Sequence, residues 1–304
     1  MAKILRSKRD IDNLIKDRPV LHFIPTMGCL HQGHLKIVEH AKKNHNEKTL
    51  VSIFVNPTQF SEKRDFDEYP RDYDKDISKL ELLKTDFIFI PDQKFIKRSM
   101  FSIKVGNFDK ILCGLDRKNH FSGVATVVLK FLILLNPKYL YLGEKDFQQI
   151  LVIRKLIKDF SINTKVKTFR TIRERKGLAF SSRNLKLSKA EKIIARNIFL
   201  ELQKIKKIIS YKPMHISELE KIKKTLIKLG FDQINYLEIR KEKDLGLIDK
   251  NYENCRAFIS ANLNRVRLID NIRLGKIRIL KKKNRKTLKK LVSYIYVNFF
   301  GLCS

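Results

Sequence analysis

The chain has 304 residues, 65 Lys and Arg against 32 Asp and Glu, a formal charge of +33 and an apolar fraction of 43%. That length and composition belong to a globular protein with room for two domains. No apolar run approaches the ~20 residues of a membrane-spanning helix. The N-terminus lacks the apolar stretch of a secretory signal. Cys29, Cys113, Cys255 and Cys303 lie far apart with no C-x-x-C pair, so a cytoplasmic protein with reduced thiols is expected.

A charge this positive attracts nucleic acid, anionic membrane or acidic ligands. The lysines are spread along the whole chain, mostly at helix positions facing solvent, and read as compositional drift. An RNA-binding protein is the alternative that the charge suggests. No RNA-binding motif or aromatic-interleaved basic strand supports it, and no specific nucleic-acid partner is expected.

In chain order, Val20, Leu21, Phe23 and Ile24 predict a short buried strand. Leu35, Ile37, Val38 and Ala41 fall at helical spacing. Between them lies Pro25-Thr-Met-Gly-Cys-Leu-His-Gln-Gly-His34, a glycine-bearing loop opening a helix. His31 and His34, three residues apart, share one side of the first turn, where free N–H groups and the helix dipole favour an anion. Gly28 and Gly33 are expected to let a phosphate approach the backbone. The two histidines alone could equally be a metal pair or surface residues. Zinc would need further ligands that no neighbouring cluster supplies, and neither usual phosphate loop is present.

Leu50–Asn56 predicts a buried parallel strand that Pro57 ends, leaving Asn56 and Gln59 at its C-terminal edge. A turn-forming role explains Asn56 well and Gln59 poorly. A helix near Asp72–Leu83 and a strand at Asp86–Pro91 follow. Cys113–Arg117 reads as a loop bringing positive charge toward His120, and Gly123–Leu135 as a buried helix. Tyr139–Leu142 is a strand running into Gly143-Glu-Lys-Asp-Phe-Gln-Gln149. There Lys145 can neutralise phosphate charge and Asp146 can cap the next helix. Thr164–Phe169 is a further strand.

This alternation predicts a Rossmann-like, doubly wound parallel α/β sheet whose right-handed crossovers gather these loops on one edge. In the polar loop Arg173–Asn184, Ser181, Ser182 and Arg183 could clamp phosphate oxygens or simply be a solvated linker. Beyond it, capping boxes at Ser188/Glu191 and Ser217/Glu220 and strands at Ile234–Ile239, Ala257–Leu263 and Val266–Ile269 predict a smaller α+β domain. The divisions expected are 1–174, 175–274 and a 275–304 extension. From Asn271 to Ser304 there are ten Lys or Arg and no acidic residue. A membrane-surface tail or an extension left by drift are the two readings, and the second is preferred.

Seven stretches, in order, resemble the pantoate–β-alanine ligase family. They are Pro25–His34, Ser52–Phe60, Tyr69-Pro-Arg71, His120–Thr126, Gly143–Gln149, Ser181–Asn184 and Arg267–Asn271. The resemblance spans roughly 1–274. It implies the HxGH nucleotidyltransferase superfamily, a homodimer, and ATP with Mg²⁺. The implied reaction joins pantoate and β-alanine through pantoyl adenylate, releasing pyrophosphate and AMP.

Carried over by position, Met27, Gly28, Cys29, Leu30, His31, Gln32, Gly33 and His34 would be one ATP-binding segment, with His34 the proton donor. Gly143, Glu144, Lys145 and Asp146, then Phe180 to Arg183, would be others, and Ile172 a backbone contact to adenine. His31, His34 and Lys145 are the catalytic candidates. Gln59, Gln149, Asn56 and Arg117 are the pantoate and β-alanine candidates. Asp76 lies near a position linked to magnesium in some relatives. Another HxGH adenylyl- or cytidylyltransferase is the alternative within this chemistry, and Gln59 and Gln149 argue against it. Phe180 stands where the family usually has Met, and Arg117-Lys-Asn-His120 where it has Arg-Pro-Gly-His.

Overall fold

The computed structural model describes residues 1–43, 47–97, 100–248 and 252–275. The extension beyond Gly275 lies outside the described residues. The chain begins with β1 (Lys3–Leu5), α1 (Lys8–Ile15), β2 (Leu21–Thr26), α2 (Gln32–Ala41) and β3 (Lys48–Ile53). Then follow α3 (Lys63–Asp67), α4 (Tyr73–Leu82), β4 (Phe87–Phe89), α5 (Lys94–Lys97) and α6 (Cys113–Asp116). Next come α7 (His120–Leu135), β5 (Tyr139–Gly143), α8 (Phe147–Asp159) and β6 (Lys165–Phe169).

The six strands form one parallel sheet in the order β1-β4-β3-β2-β5-β6. Alternate residues serve opposite faces. Phe23, Leu50, Phe89 and Leu140 join α1, α7 and α8 in one apolar core. Ile24, Val51, Ile88 and Tyr141 join α2 and α4 in another. Both faces are covered, so these strands read as continuous apolar runs. The winding reverses between β2 and β5, which places the ligand crevice beyond their C-terminal ends.

β1 and α1 were not anticipated. β1 is three residues long and pairs only with β4 at the sheet edge, too short to show a period. Cys113–Asp116 is a one-turn helix where a loop was expected.

The C-terminal part has α9 (Lys189–Ala195), α10 (Asn197–Ile209), α11 (Ile216–Lys228) and an antiparallel sheet of β7 (Gln233–Lys241), β8 (Cys255–Leu263) and β9 (Val266–Arg273). One sheet face and the helices enclose a separate core around Ile198, Leu202, Ile205, Leu226 and Ile259. The other face sends Phe258 against Phe147 at the start of α8. The Ser188/Glu191 capping box is present, with Ser188 Oγ accepting from Glu191 N–H. The second box is displaced by two residues: Glu218, not Glu220, accepts from the N–H of His215, and the helix begins at Ile216.

Candidate active site

After β2 the chain makes a turn that cannot be an ordinary helix entry. Gly28 and Cys29 both have positive φ, +78° and +51°, and a Cβ on Gly28 would stand 3.0 Å from Asp76 Oδ2 and from the Ile53 side chain. Buried Asp76 on α4 accepts from Cys29 N–H at 2.6 Å and from Leu30 N–H at 2.7 Å. One carboxylate therefore holds two consecutive amides, and the chain reaches His31 in the extended conformation that starts α2.

His31 and His34 are stacked, ring centroids 3.9 Å apart at 17°. Gly33 is required by the first ring, because a Cβ there would lie 2.9 Å from the His31 imidazole. Gly33 thus makes room for the His31 ring as well as lining the cavity. Phe180 also stacks with His31, ring centroids 6.0 Å apart. His31 Nδ1 is buried without a hydrogen-bond partner. His34 Nδ1 accepts a long bond, 3.5 Å, from the His31 N–H, which leaves the proton of neutral His34 on Nε2.

Burial first, then the neighbouring His34 and Lys145 charges, push His31 down to about 2. Burial, then Lys145 and Lys79, push His34 down to about 4. Both rings are neutral donors near pH 7.

Across the switch point, β5 ends in the turn Glu144–Asp146. Lys145 is largely buried and 3.6 Å from Asp146. Asp146 stands at the N-cap position of α8 but makes no side-chain cap bond, so the expected cap is corrected.

The amides after β3 have separate duties. Asn56 caps the single turn Pro57–Gln59 through Thr58 N–H, and its Nδ2 donates to Gly123 O at 3.2 Å and Gln59 Oε1 at 3.2 Å. Both ends of Asn56 are engaged within the protein, so it supports Gln59. Gln59 Nε2 lies 2.7 Å from Met27 Sδ. Its backbone carbonyl accepts from Arg117 Nη2 at 3.0 Å and lies 2.8 Å from His120 Nδ1. Arg117 Nη1 is 3.1 Å from His120 Nε2. A guanidinium only donates, so His120 accepts at Nε2 and donates from Nδ1 to the carbonyl. Burial, then this guanidinium, hold His120 far below the ordinary imidazole range. Burial and the neighbouring Arg183 and Arg267 lower Arg117 to about 10.

The segment expected to clamp phosphate is bound to the protein itself. Arg183 pairs with Asp65 through both terminal nitrogens at 2.8 and 2.9 Å. Ser182 Oγ is 2.8 Å from Tyr69 OH. Ser181 Oγ caps its own turn by accepting from Arg183 N–H at 3.3 Å. The Ile172 carbonyl accepts from Phe180 N–H at 3.1 Å.

One cavity of about 270 Å³ gathers Met27, His31, Gly33, His34, Asn56, Gln59, Arg117, Gly143, Lys145, Asp146, Gln149, Ile172 and Phe180 through Arg183. Gly28, Cys29, Leu30, Gln32, Glu144 and Asp76 are not in its wall. The first three build the turn, and Glu144 faces Arg256 at 3.3 Å. His120, Tyr69, Arg267 and Asp270 line the cavity without having been assigned a role. All four fall in the stretches quoted above, but their bonds to Ser182, Gln59, Asp116 and Arg173 cross 61 residues or more, beyond any local pattern.

A doubly wound sheet with a His-x-Gly-His turn on one side of its switch point and a lysine turn on the other defines a nucleotide-using enzyme of the HxGH class. A family model described as pantoate-beta-alanine ligase matches residues 2–273. The chain belongs to the pantoate–β-alanine ligase family.

It is 35% identical over 274 residues to the pantothenate synthetase of Thermosipho africanus (strain TCF52B), covering 90% of this chain and 98% of that one. It is 37% identical over 282 residues to the pantothenate synthetase of Flavobacterium psychrophilum, covering 89% and 99%. Among solved structures, pantothenate synthetase from Thermus thermophilus matches with a TM-score of 0.80 at 29% identity, covering 90% and 99%. Pantoate-beta-alanine ligase from Francisella tularensis, complexed with beta-gamma ATP and beta-alanine, matches with 0.77 at 34%, covering 90% and 97%. Among the described residues no helix is long and apolar enough to cross a membrane.

Proposed function

We propose that this chain condenses pantoate with β-alanine, using ATP, by way of pantoyl adenylate. The observation that carries the reading is the convergence of His31, His34, Lys145, Gln59 and Gln149 on one cavity at the switch point. A pantoate carboxylate oxygen attacks the α-phosphorus, the bond to the bridging oxygen breaks, and pyrophosphate leaves. The β-alanine amine then attacks the acyl carbon, AMP leaves with the phosphate oxygen, and the amine proton passes to solvent.

Pantoate is ionised at pH 7, so the first step needs no strong base. The barrier is charge on the transition state and on departing pyrophosphate, and positioned donors lower it. His34 Nε2–H and the Lys145 ammonium are such donors. Gln59, held from behind by Arg117 and His120, presents a fixed amide to pantoate and β-alanine.

Among the described residues no three His, Cys, Asp or Glu side chains gather as a metal site, and both Asp76 oxygens hold backbone amides. No resident magnesium site is therefore proposed, and the ion would arrive with ATP as substrate. We assign residues 1–174 to nucleotide binding and 175–274, which has its own core, to a unit closing over it. A cytoplasmic homodimer is proposed on the family's pattern. The test is AMP and pantothenate formation from ATP, Mg²⁺ and pantoate with and without β-alanine. β-Alanine-dependent formation of both supports the reading, and folded protein without turnover overturns it.

A further inference from the structure

The Lys145 turn has no side-chain cap at Gly143 or at Asp146, yet its backbone is held firmly from another part of the chain. Asn271 on β9 donates from Nδ2 to the Glu144 carbonyl at 2.9 Å and to the Lys145 carbonyl at 2.8 Å. Its Oδ1 accepts from Arg256 Nη1 at 2.5 Å. Arg256 only donates, so the amide has one possible orientation, with its NH₂ on the two carbonyls. Asn271 is 3% exposed and Arg256 4%.

Arg256 is itself fixed. Its guanidinium lies 4.1 Å from the Phe147 ring centre and pairs with Glu242 at 2.9 Å and Glu144 at 3.3 Å. One NH₂ group bonded to consecutive carbonyls sets both the height and the rotation of the turn. The antiparallel sheet thus dictates where the lysine begins.

We propose that Asn271, oriented by buried Arg256, is the positioning residue that aims Lys145 at the phosphates. The proposal rests on the reading of Lys145 as a phosphate contact. Lys145 supplies charge only if its ammonium meets the departing pyrophosphate, and a displacement of about 1 Å can cost on the order of 100-fold in rate. Asn271→Asp keeps the size and the Arg256 partner while setting an oxygen against the two carbonyls. Asn271→Ser keeps a donor for one of them.

The experiment is a double-mutant cycle with Lys145→Ala, read on kcat and KM for pantoate-dependent pyrophosphate release, on Mg·ATP affinity by calorimetry, and on thermal melting. Asn271→Asp is expected to lower kcat about 10- to 100-fold in the parent and less than about twofold in the Lys145→Ala background. Asn271→Ser should fall between, and it carries the cycle if the Asp variant does not fold. Equal losses in both backgrounds, or an unchanged parent kcat, would overturn the proposal. If the parent shows no pantoate-dependent turnover, the functional reading fails separately. The cycle is then decided on ATP affinity, where coupling keeps the Asn271–Lys145 link and additivity removes it.

Discussion

Two of the three segments expected to meet ATP are built in opposite ways. The turn Met27–His34 is held from outside: Asp76 takes its amides, Gly33 makes room for the His31 ring, and His31 Nδ1 is buried without a partner. In Ser181–Arg183 the polar groups are themselves engaged, with Asp65, Tyr69 and the local turn. We expect an anion at the two imidazoles of the first to require little rearrangement. The second must exchange an internal carboxylate for a phosphate before it can contribute, so its net gain is smaller.

That contrast ranks the expected effects of change. His34→Ala and Lys145→Ala should each lower kcat of adenylate formation by ~10²–10³ while the fold persists, as for loss of one preorganised donor. Steady-state kinetics beside a melting curve checks this, and near-normal turnover by either variant would remove it from the donor set. Gly33→Ala forces the His31 ring from its stack, and a loss on the order of tenfold in kcat/KM for ATP is expected. Asp65→Asn releases the Arg183 fork, so the KM for ATP should fall by about two- to fivefold, the scale of a partly exposed ion pair. A raised KM would mean that Asp65 aims Arg183 and does not withhold it.

Smaller still is a pH effect on stability. The folded His31 and His34 have values of about 2 and about 4, below the ordinary imidazole value of ~6.5. Between about pH 6.5 and 4 the unfolded chain binds protons that the folded chain refuses, so stability falls as pH is lowered through that window. The melting temperature of His31→Asn/His34→Asn should fall less from about pH 7 to pH 5 than the parent's does. Parallel falls would contradict the neutral assignment. Truncation after Gly275, beyond the matched residues 2–273, is expected to leave kcat unchanged, and a large loss would give the extension a role.

Much of this was legible in the chain because local physics was sufficient. The apolar runs gave β2, β3, β4 and β5, Ser188/Glu191 gave a helix start, and the alternation gave the parallel sheet and the edge where its loops meet. β1 was too short to carry a period. At α11 two overlapping patterns competed, and the one at His215 formed because Glu218 reaches back to its N–H. Asn56 and Asp76 look like ligand groups in sequence, and in the structure they also brace Gln59 and the histidine turn. Arg183 looks like a phosphate clamp until Asp65, 118 residues away, is seen to hold it. Asn271 has no meaning in sequence apart from Arg256 and the carbonyls of Glu144 and Lys145. Long-range hydrogen bonds decide such roles, and one chain read alone does not display them.

The most direct test is pantoate-dependent exchange of labelled pyrophosphate into ATP with β-alanine left out, run on the parent and on His34→Ala. Exchange by the parent without β-alanine, lost in a folded His34→Ala, is the expected result. Exchange of equal rate in both proteins would contradict the role of the pre-organised histidine turn in forming the adenylate.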